Sequence, residues 1–264
     1  MTAGFESPPD EVLEGEWIDF IAELPVDGDT LRHHIRAALA RGLEEVRMGA
    51  LAGRSARIVA NGPSARQAPL SAMDGRLSVA LNGALALFRA RGQAPDYFVA
   101  CDPQALVAEF LADAPPATTY LIASRCHPRV FQALAGRRVL IWHLDEADAE
   151  AEIPTAERIG AGLSVTNAAL MLLHHMGVRS MDIWGLDCSL AEDGAHHAGQ
   201  GAVSGPYQPI RVGDRLFQSK PAWAAEAQQF LLHLHAIDAE VTVNGEGMLA
   251  AILAEFGRRQ APGA

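Results

Sequence analysis

The stretch Arg57-Ile58-Val59-Ala60-Asn61-Gly62-Pro63-Ser64 decides how the fold is read. Its first half is a short apolar run and its second half is a turn. A continuous apolar run, as opposed to an alternating one, suits a strand covered on both faces, as in a parallel sheet. The same pattern recurs outward along the chain. Further strands are predicted at 77–81, 97–101, 119–123, 138–142, 181–184 and 240–243. Helices are predicted between them at 84–91, 104–111, 129–134, 165–176 and 221–236, with a last one after Gly247. Ahead of them, Thr30 is a candidate N-cap for a helix reaching about residue 52. Leu31, Ile35, Leu39, Leu43 and Val46 keep helical spacing along it. This βαβα order predicts an α/β fold: a Rossmann-like, doubly wound, mostly parallel sheet with helices on both faces.

The 264 residues are expected to divide into an N-terminal arm and helix at 1–54, the α/β domain at 55–256 and a tail at 257–264. The arm is rich in proline and acid, with a short amphipathic piece around 17–24. The segment 189–219 stands apart. It carries Gly194, Gly199, Gly201, Gly205, Gly213, Pro206 and Pro209 and has no clear periodicity. An insertion that long inside a compact domain is expected to be a functional lid or a disordered loop.

A net charge of −11 and a pI of about 5.3 argue against a non-specific grip on nucleic-acid phosphate. A nucleotide is still a suitable partner, because backbone N–H groups and helix ends hold phosphate without basic side chains. Cys101, Cys126 and Cys188 lie far apart and form no CxxC pair, so they read as reduced thiols of a cytoplasmic protein. The first residues carry no basic and apolar leader. No apolar run approaches the roughly 18 residues of a membrane span. The longest, 168–176, is broken by His174 and His175. The oligomeric state stays open.

Ligands of an open parallel sheet bind beyond the carboxyl ends of its strands. The predicted strands end in Asn61-Gly62-Pro63-Ser64, Asn82-Gly83, Asp102-Pro103, Ser124-Arg125-Cys126-His127, His143 with Asp145, and Gly185 with Asp187. Ordinary turn polarity is the competing explanation for such a list. In the first turn, Gly62 lets backbone approach a ligand, Pro63 suits a first helical turn, and Ser64 can cap it or bond phosphate. It is neither GxGxxG nor a Walker A loop, which disfavours a dinucleotide dehydrogenase or a P-loop kinase. A second glycine turn, containing Gly160, Gly162, Ser164 and Thr166, feeds an apolar helix. It is either a ready anion site or simply a well-capped core helix. Asp102 and Asp187 end strands and could hold a ribose hydroxyl or a metal. Pro95-Asp96 starts a strand, at the wrong end of the sheet, and reads as structural. Among the histidines, His33 and His34 read as surface residues, and His233 and His235 as structural. His196 and His197 lie in the glycine-rich insertion, where a mobile base could reach a substrate. They also read as ordinary exposed loop histidines. Glu192 and Asp193 lie beside them, without tight metal-ligand spacing.

Several motifs taken together resemble the MptE-like family. They are Ile58 to Ser64 (IVANGPS), Ala80-Leu81-Asn82-Gly83-Ala84, the run from Gly92 to Asp102 (GQAPDYFVACD), Gly162-Leu163-Ser164-Val165, and Ile183-Trp184-Gly185-Leu186-Asp187. The resemblance covers about 55–190 and extends to Val243-Asn244-Gly245-Glu246-Gly247. The family is named for a 6-hydroxymethylpterin diphosphokinase and includes the Maf flagellin glycosyltransferases. The NGPS turn and the late G-x-D strand end are also similar to bacterial sialyltransferases that use CMP-sialic acid.

The resemblance implies a nucleotide-dependent transferase. The diphosphokinase branch implies ATP and magnesium, and it resembles thiamine pyrophosphokinases, which hold metal with A-D-G and D-x-D turns. Here Asn82 stands where that first Asp would be, and Cys101-Asp102-Pro103-Gln104 keeps one carboxylate only. The expectation is therefore glycosyl transfer from a CMP-activated nonulosonic sugar to a small-molecule or glycan acceptor. No metal is required for it, with magnesium reserved for the diphosphokinase alternative. A non-catalytic binding protein on the same fold is the third reading. The expected nucleotide contacts are Asn61, Gly62, Pro63, Ser64, Asn82, Gly83, Asp102, Ser124, Gly162, Ser164 and Thr166. The expected catalytic residues are His196, His197 and Asp187.

Overall fold

The computed structural model describes residues 26–71, 74–147, 152–153, 157–160, 162 and 164–260. The expected arm and its 17–24 piece lie outside the described residues. The strands are β1 (Glu44–Glu45), β2 (Ser55–Val59), β3 (Leu77–Leu81), β4 (Tyr97–Ala100), β5 (Thr119–Ala123), β6 (Arg138–Trp142), β7 (Ser180–Trp184), β8 (Gln208–Val212), β9 (Arg215–Ser219) and β10 (Glu240–Val243). The helices are α1 (Gly28–Leu39), α2 (Leu85–Ala90), α3 (Pro128–Ala133), α4 (Val165–His175), α5 (Pro221–Ala236) and α6 (Met248–Gln260). The last runs past the expected domain end at 256.

Eight strands form one parallel sheet in the order β1-β6-β5-β4-β3-β2-β7-β10. Helices flank it, giving the expected Rossmann-like α/β arrangement. Every residue of β3 is buried, as are four of the five in β2 and in β5. Their unbroken apolar sequence is the consequence of two covered faces. Edge strand β10 instead alternates between exposed and half-buried residues. Phe88, Phe98, Tyr120, Trp142 and Phe230 are fully buried and fill the core. Each large apolar side chain removed from water in this way contributes about 1.5–3 kcal/mol.

From β2 the chain winds outward through β3, β4, β5 and β6, then returns to β7 on the other side of β2. The winding direction therefore reverses between β2 and β7. Such a switch point opens a crevice beyond the carboxyl ends of the strands. Asn61-Gly62-Pro63-Ser64 leaves β2 there, and Gly185-Leu186-Asp187 leaves β7.

Local structure departs from expectation in four places. Helix α1 ends at Leu39 instead of near residue 52, and its cap is Asp27, whose carboxylate accepts from the Thr30 N–H at 2.7 Å. Gly42 turns the chain out of the helix at φ +61°. Leu43 and Val46 matched the helical period, yet they pack on the core as the neighbours of β1. The segment 105–111 is a 3-10 run instead of an α-helix. The 189–219 insertion contains the antiparallel hairpin β8–β9. His34, expected at the surface, is 4% exposed. Its Nδ1 lies 3.1 Å from the Arg125 carbonyl and its ring packs edge-on to His127. The structural reading of Asp96 agrees with its contacts: its carboxylate accepts from the N–H and the hydroxyl of Ser78 at 2.7 and 2.8 Å.

Candidate functional site

At the switch point the two strand ends are bolted together. The Gly62 N–H donates to the Gly185 carbonyl at 2.9 Å. Asp187 Oδ2 accepts from the Ser64 N–H at 3.0 Å and the Ser64 hydroxyl at 3.1 Å, while the Gly185 N–H donates to Ser64 Oγ at 2.8 Å. A Cβ at position 62 would lie 2.4 Å from the Gly185 oxygen and 2.5 Å from Asp187 Oδ2, so this approach needs glycine. A Cβ at position 83 would lie 2.8 Å from Asn61 Nδ2. The bare Gly83 therefore lets the Asn61 carboxamide lie over the Asn82-Gly83-Ala84 turn. Asn82 itself sits at φ +45°, a conformation asparagine tolerates better than most side chains.

These turns form one wall of a cavity of about 480 Å³. Of the expected residues, Asn61, Gly62, Pro63, Asn82, Gly83, Asp102, Thr166, Asp187, His196 and His197 all line it. Asn82 Oδ1 is buried there without a protein partner. A buried acceptor left unpaired costs about 1–3 kcal/mol, which a ligand N–H or O–H would recover. Among the described residues, no lysine or arginine lines the cavity.

The insertion closes the opposite side. The Ala198 N–H donates to the Asn61 carbonyl at 2.9 Å. Arg66 spans to the same loop with three bonds: Nε to the Ala198 carbonyl at 3.0 Å, one terminal nitrogen to Asp193 at 2.6 Å, the other to the Gln200 carbonyl at 3.0 Å. The loop is thus docked on the β2 turn and presents both histidines to the cavity. The His196 and His197 rings stack at 3.8 Å, and His196 lies 4.4 Å from the Trp223 ring. The Lys220 ammonium sits 4.4 Å above the far side of this group, over Trp223. Burial, then His197 and Lys220, push His196 down to about 4. Burial lowers His197 too, against the bond to the Asn61 carbonyl. Both rings are therefore neutral at neutral pH and able to accept a proton.

Four expected residues are placed elsewhere. Ser64 is spent on the Asp187 and Gly185 bonds and does not line the cavity. Ser124 is 1% exposed and bonds His143 Nδ1 at 3.0 Å, away from the cavity. Gly162 packs against the Gln229 side chain. Ser164 caps α4 by accepting from the Asn167 N–H at 3.2 Å. Asp187 lines the cavity but is 7% exposed and engaged by Ser64, which makes it a strut between β2 and β7.

Sequence reasoning missed Trp223, Glu226 and Arg66. Trp223 and Glu226 are three residues apart at the start of α5, so they share a helix face; that spacing was the available signal. Burial pushes the Glu226 carboxyl up, against the Ser164 hydroxyl and Lys220.

Magnesium would need convergent oxygen charge. Asp102 Oδ1 accepts from the Gln104 N–H at 2.8 Å, and Asp187 is taken by Ser64. Among the described residues, no group of three or more His, Cys, Asp or Glu side chains is arranged to hold a metal. These donors do not fit the ion. Among the described residues, no helix is long and apolar enough to cross a membrane.

No curated protein matches the sequence. Among solved structures, the fold is similar to that of a Maf glycosyltransferase from Magnetospirillum magneticum AMB-1. The TM-score is 0.64 at 11% identity, covering 90% of this chain and 43% of that one. The likeness is one of fold, and the chain spans less than half the length of that protein. A family model described as 6-hydroxymethylpterin diphosphokinase MptE-like matches residues 34–193. The chain belongs to the MptE-like family.

Proposed function

We propose that the protein is a transferase that binds a nucleotide-activated sugar in the switch-point cavity and passes the sugar to an acceptor hydroxyl. The donor chemistry that fits best is a CMP-activated nonulosonic sugar. The observation that carries this reading is the lining itself: two carboxamides on the β2 and β3 turns, a neutral histidine pair from the docked insertion, and, among the described residues, no lysine or arginine. The phosphodiester of a CMP-sugar carries one negative charge, which N–H groups can satisfy. A triphosphate carries about four and would need cations.

In this reaction the bond from the sugar carbon to the phosphate oxygen breaks, and CMP leaves with the electron pair. The acceptor oxygen forms the new bond to that carbon and gives its proton to His196 or His197. N–H groups of Asn61 and Asn82 aimed at the leaving phosphate lower the barrier as its charge grows. An imidazole with a pKa near 4 is a weak base. An anionic donor beside it would raise that value toward the working pH. Asp187 keeps the β2 turn in place.

Titration calorimetry with CMP and a CMP-sugar, in the presence of a chelator, tests the reading. Saturable binding of both is expected; absence of binding with and without magnesium would refute it. The family description also favours a second reading, pyrophosphate transfer from ATP to a hydroxymethylpterin. Release of AMP from ATP, magnesium and that alcohol would establish it in place of the first.

A further inference from the structure

Helix α4 points its N-terminus at the cavity, with Val165 and Thr166 in the wall. The positive end of an 11-residue helix is a natural anion seat. In this protein the seat has an occupant. Glu226 comes across from α5 and lines the cavity wall beside Val165 and Thr166, the first residues of that helix. The arrangement is braced from behind. Asn167, fully buried, donates to the Glu226 carbonyl at 3.4 Å and to Gln229 Oε1 at 3.3 Å. A Cβ on Gly162 would strike the same Gln229 side chain at 2.5 Å. Gly162, just before α4, therefore packs against α5. Asp102 and Asp187 add two more carboxyl groups to the wall, and the nearby Lys220 is outside it, over Trp223.

We propose that Glu226 is a specificity-determining residue: its carboxylate takes the α4 N-terminus and bars a second phosphate, so that the cavity selects ligands with a single phosphate over di- and triphosphates. A second phosphate reaching past Asn61 and Asn82 toward α4 meets a fixed negative charge where the helix would otherwise attract it. Like charges a few ångströms apart in a partly buried site discriminate strongly. A nonulosonic donor fits this arrangement with its sugar carboxylate turned toward His196 and His197, away from α4. The inference deepens the nucleotide reading and rests on it, but anion exclusion at α4 can be measured without a nucleotide.

The test compares the wild-type chain with Glu226→Gln by calorimetry in chelator, using CMP, CDP, CTP and inorganic pyrophosphate. Burial raises the Glu226 carboxyl, so titrations at about pH 7 and about pH 9 are compared, and exclusion of the second phosphate should strengthen as the carboxyl ionises. Wild type is expected to bind CMP more tightly than CDP or CTP. In Glu226→Gln, CDP and pyrophosphate gain about tenfold while CMP changes less than about twofold. An unchanged CDP-to-CMP ratio in the variant, or a wild type that prefers CTP to CMP, overturns the proposal. If neither protein binds any cytidine nucleotide, the nucleotide reading falls. Pyrophosphate then still decides this one: a gain in the variant upholds exclusion at α4, and no gain rejects it. Should Glu226→Gln lose its fold by circular dichroism, Glu226→Ala carries the same comparison.

Discussion

Two stretches of the same sheet rim bear polar residues, and they do opposite things. At β2, β3 and β7, Asn61, Asn82 and Asp187 surround an open cavity. At β5 and β6, Ser124 bonds His143, whose Nε2 lies 3.6 Å from Glu45 on β1. By residue type the second set resembles a hydrolytic triad. Yet Ser124 and His143 are 1% and 2% exposed, and burial pulls His143 down into its neutral form. Cys101 and Cys126 are buried beside them, with Cys101 pushed up to about 12 and so unreactive as a thiolate. Strand-end polarity is thus not enough to make a site. Winding reverses between β2 and β7 and leaves a crevice, and glycines keep it shallow enough for backbone to line it. Between β5 and β6 the winding continues in one direction and side chains fill the space.

The sharpest way to break this contrast is Gly62→Ala. The added Cβ has backbone and Asp187 within 2.5 Å, so the β2–β7 clamp must open. A loss of about 3 kcal/mol in denaturant unfolding is expected, together with loss of ligand binding. A variant as stable as wild type would show that the close approach is not required. Asn82→Gly keeps the left-handed turn and removes only the carboxamide. CMP affinity should drop about tenfold, with the melting temperature held within about 2 °C because a buried unpaired oxygen is removed as backbone freedom is gained. Equal affinity would move the phosphate away from the β3 turn.

The histidine pair gives a pH signature. Folded His196 titrates near 4 and the unfolded residue near 6.5, so the unfolded chain binds more protons between those values. Its contribution is complete above 6.5 and fades as pH falls toward 4. After discounting for partial exposure it amounts to about 1–2 kcal/mol. Urea midpoints for His196→Asn should decline less over this range than those of wild type. Parallel curves would place His196 in solvent. The smallest effect belongs to the closed end of the rim. Ser124→Ala should cost about 1 kcal/mol of stability and leave CMP affinity within about twofold. A large affinity loss would mean that the two ends are coupled.

The sheet was legible because buried parallel strands write themselves as apolar runs, and Val59 or Ile122 could hardly lie elsewhere. Its turns were legible because glycine and asparagine are needed where backbone crowds or turns left-handed. The end of α1 was not, since Leu43 and Val46 keep the helical period by coincidence while Gly42 breaks the helix. The hairpin β8–β9 was hidden by Pro209 and by strands with one exposed face. Half of the site could be read in the strand ends. The other half, Trp223, Glu226 and Arg66, comes from elements brought in by tertiary packing: Arg66 meets Ala198 at a separation of 132 residues and Glu226 meets Asn167 at 59, and the local spacing of Trp223 and Glu226 marks a shared helix face without naming what it faces. Helix α4 shows the limit most plainly: the cap role of Ser164 was readable, but the acid that α5 brings to the same cavity wall was not.

The most direct measurement is a crystal structure with CMP bound in the absence of metal. The phosphate is expected within hydrogen-bonding distance of the Asn61 and Asn82 carboxamides, with Glu226 still in the wall beside Thr166. A phosphate seated on the α4 N-terminus with Glu226 displaced, or a nucleotide bound away from the β2 and β3 turns, would contradict it.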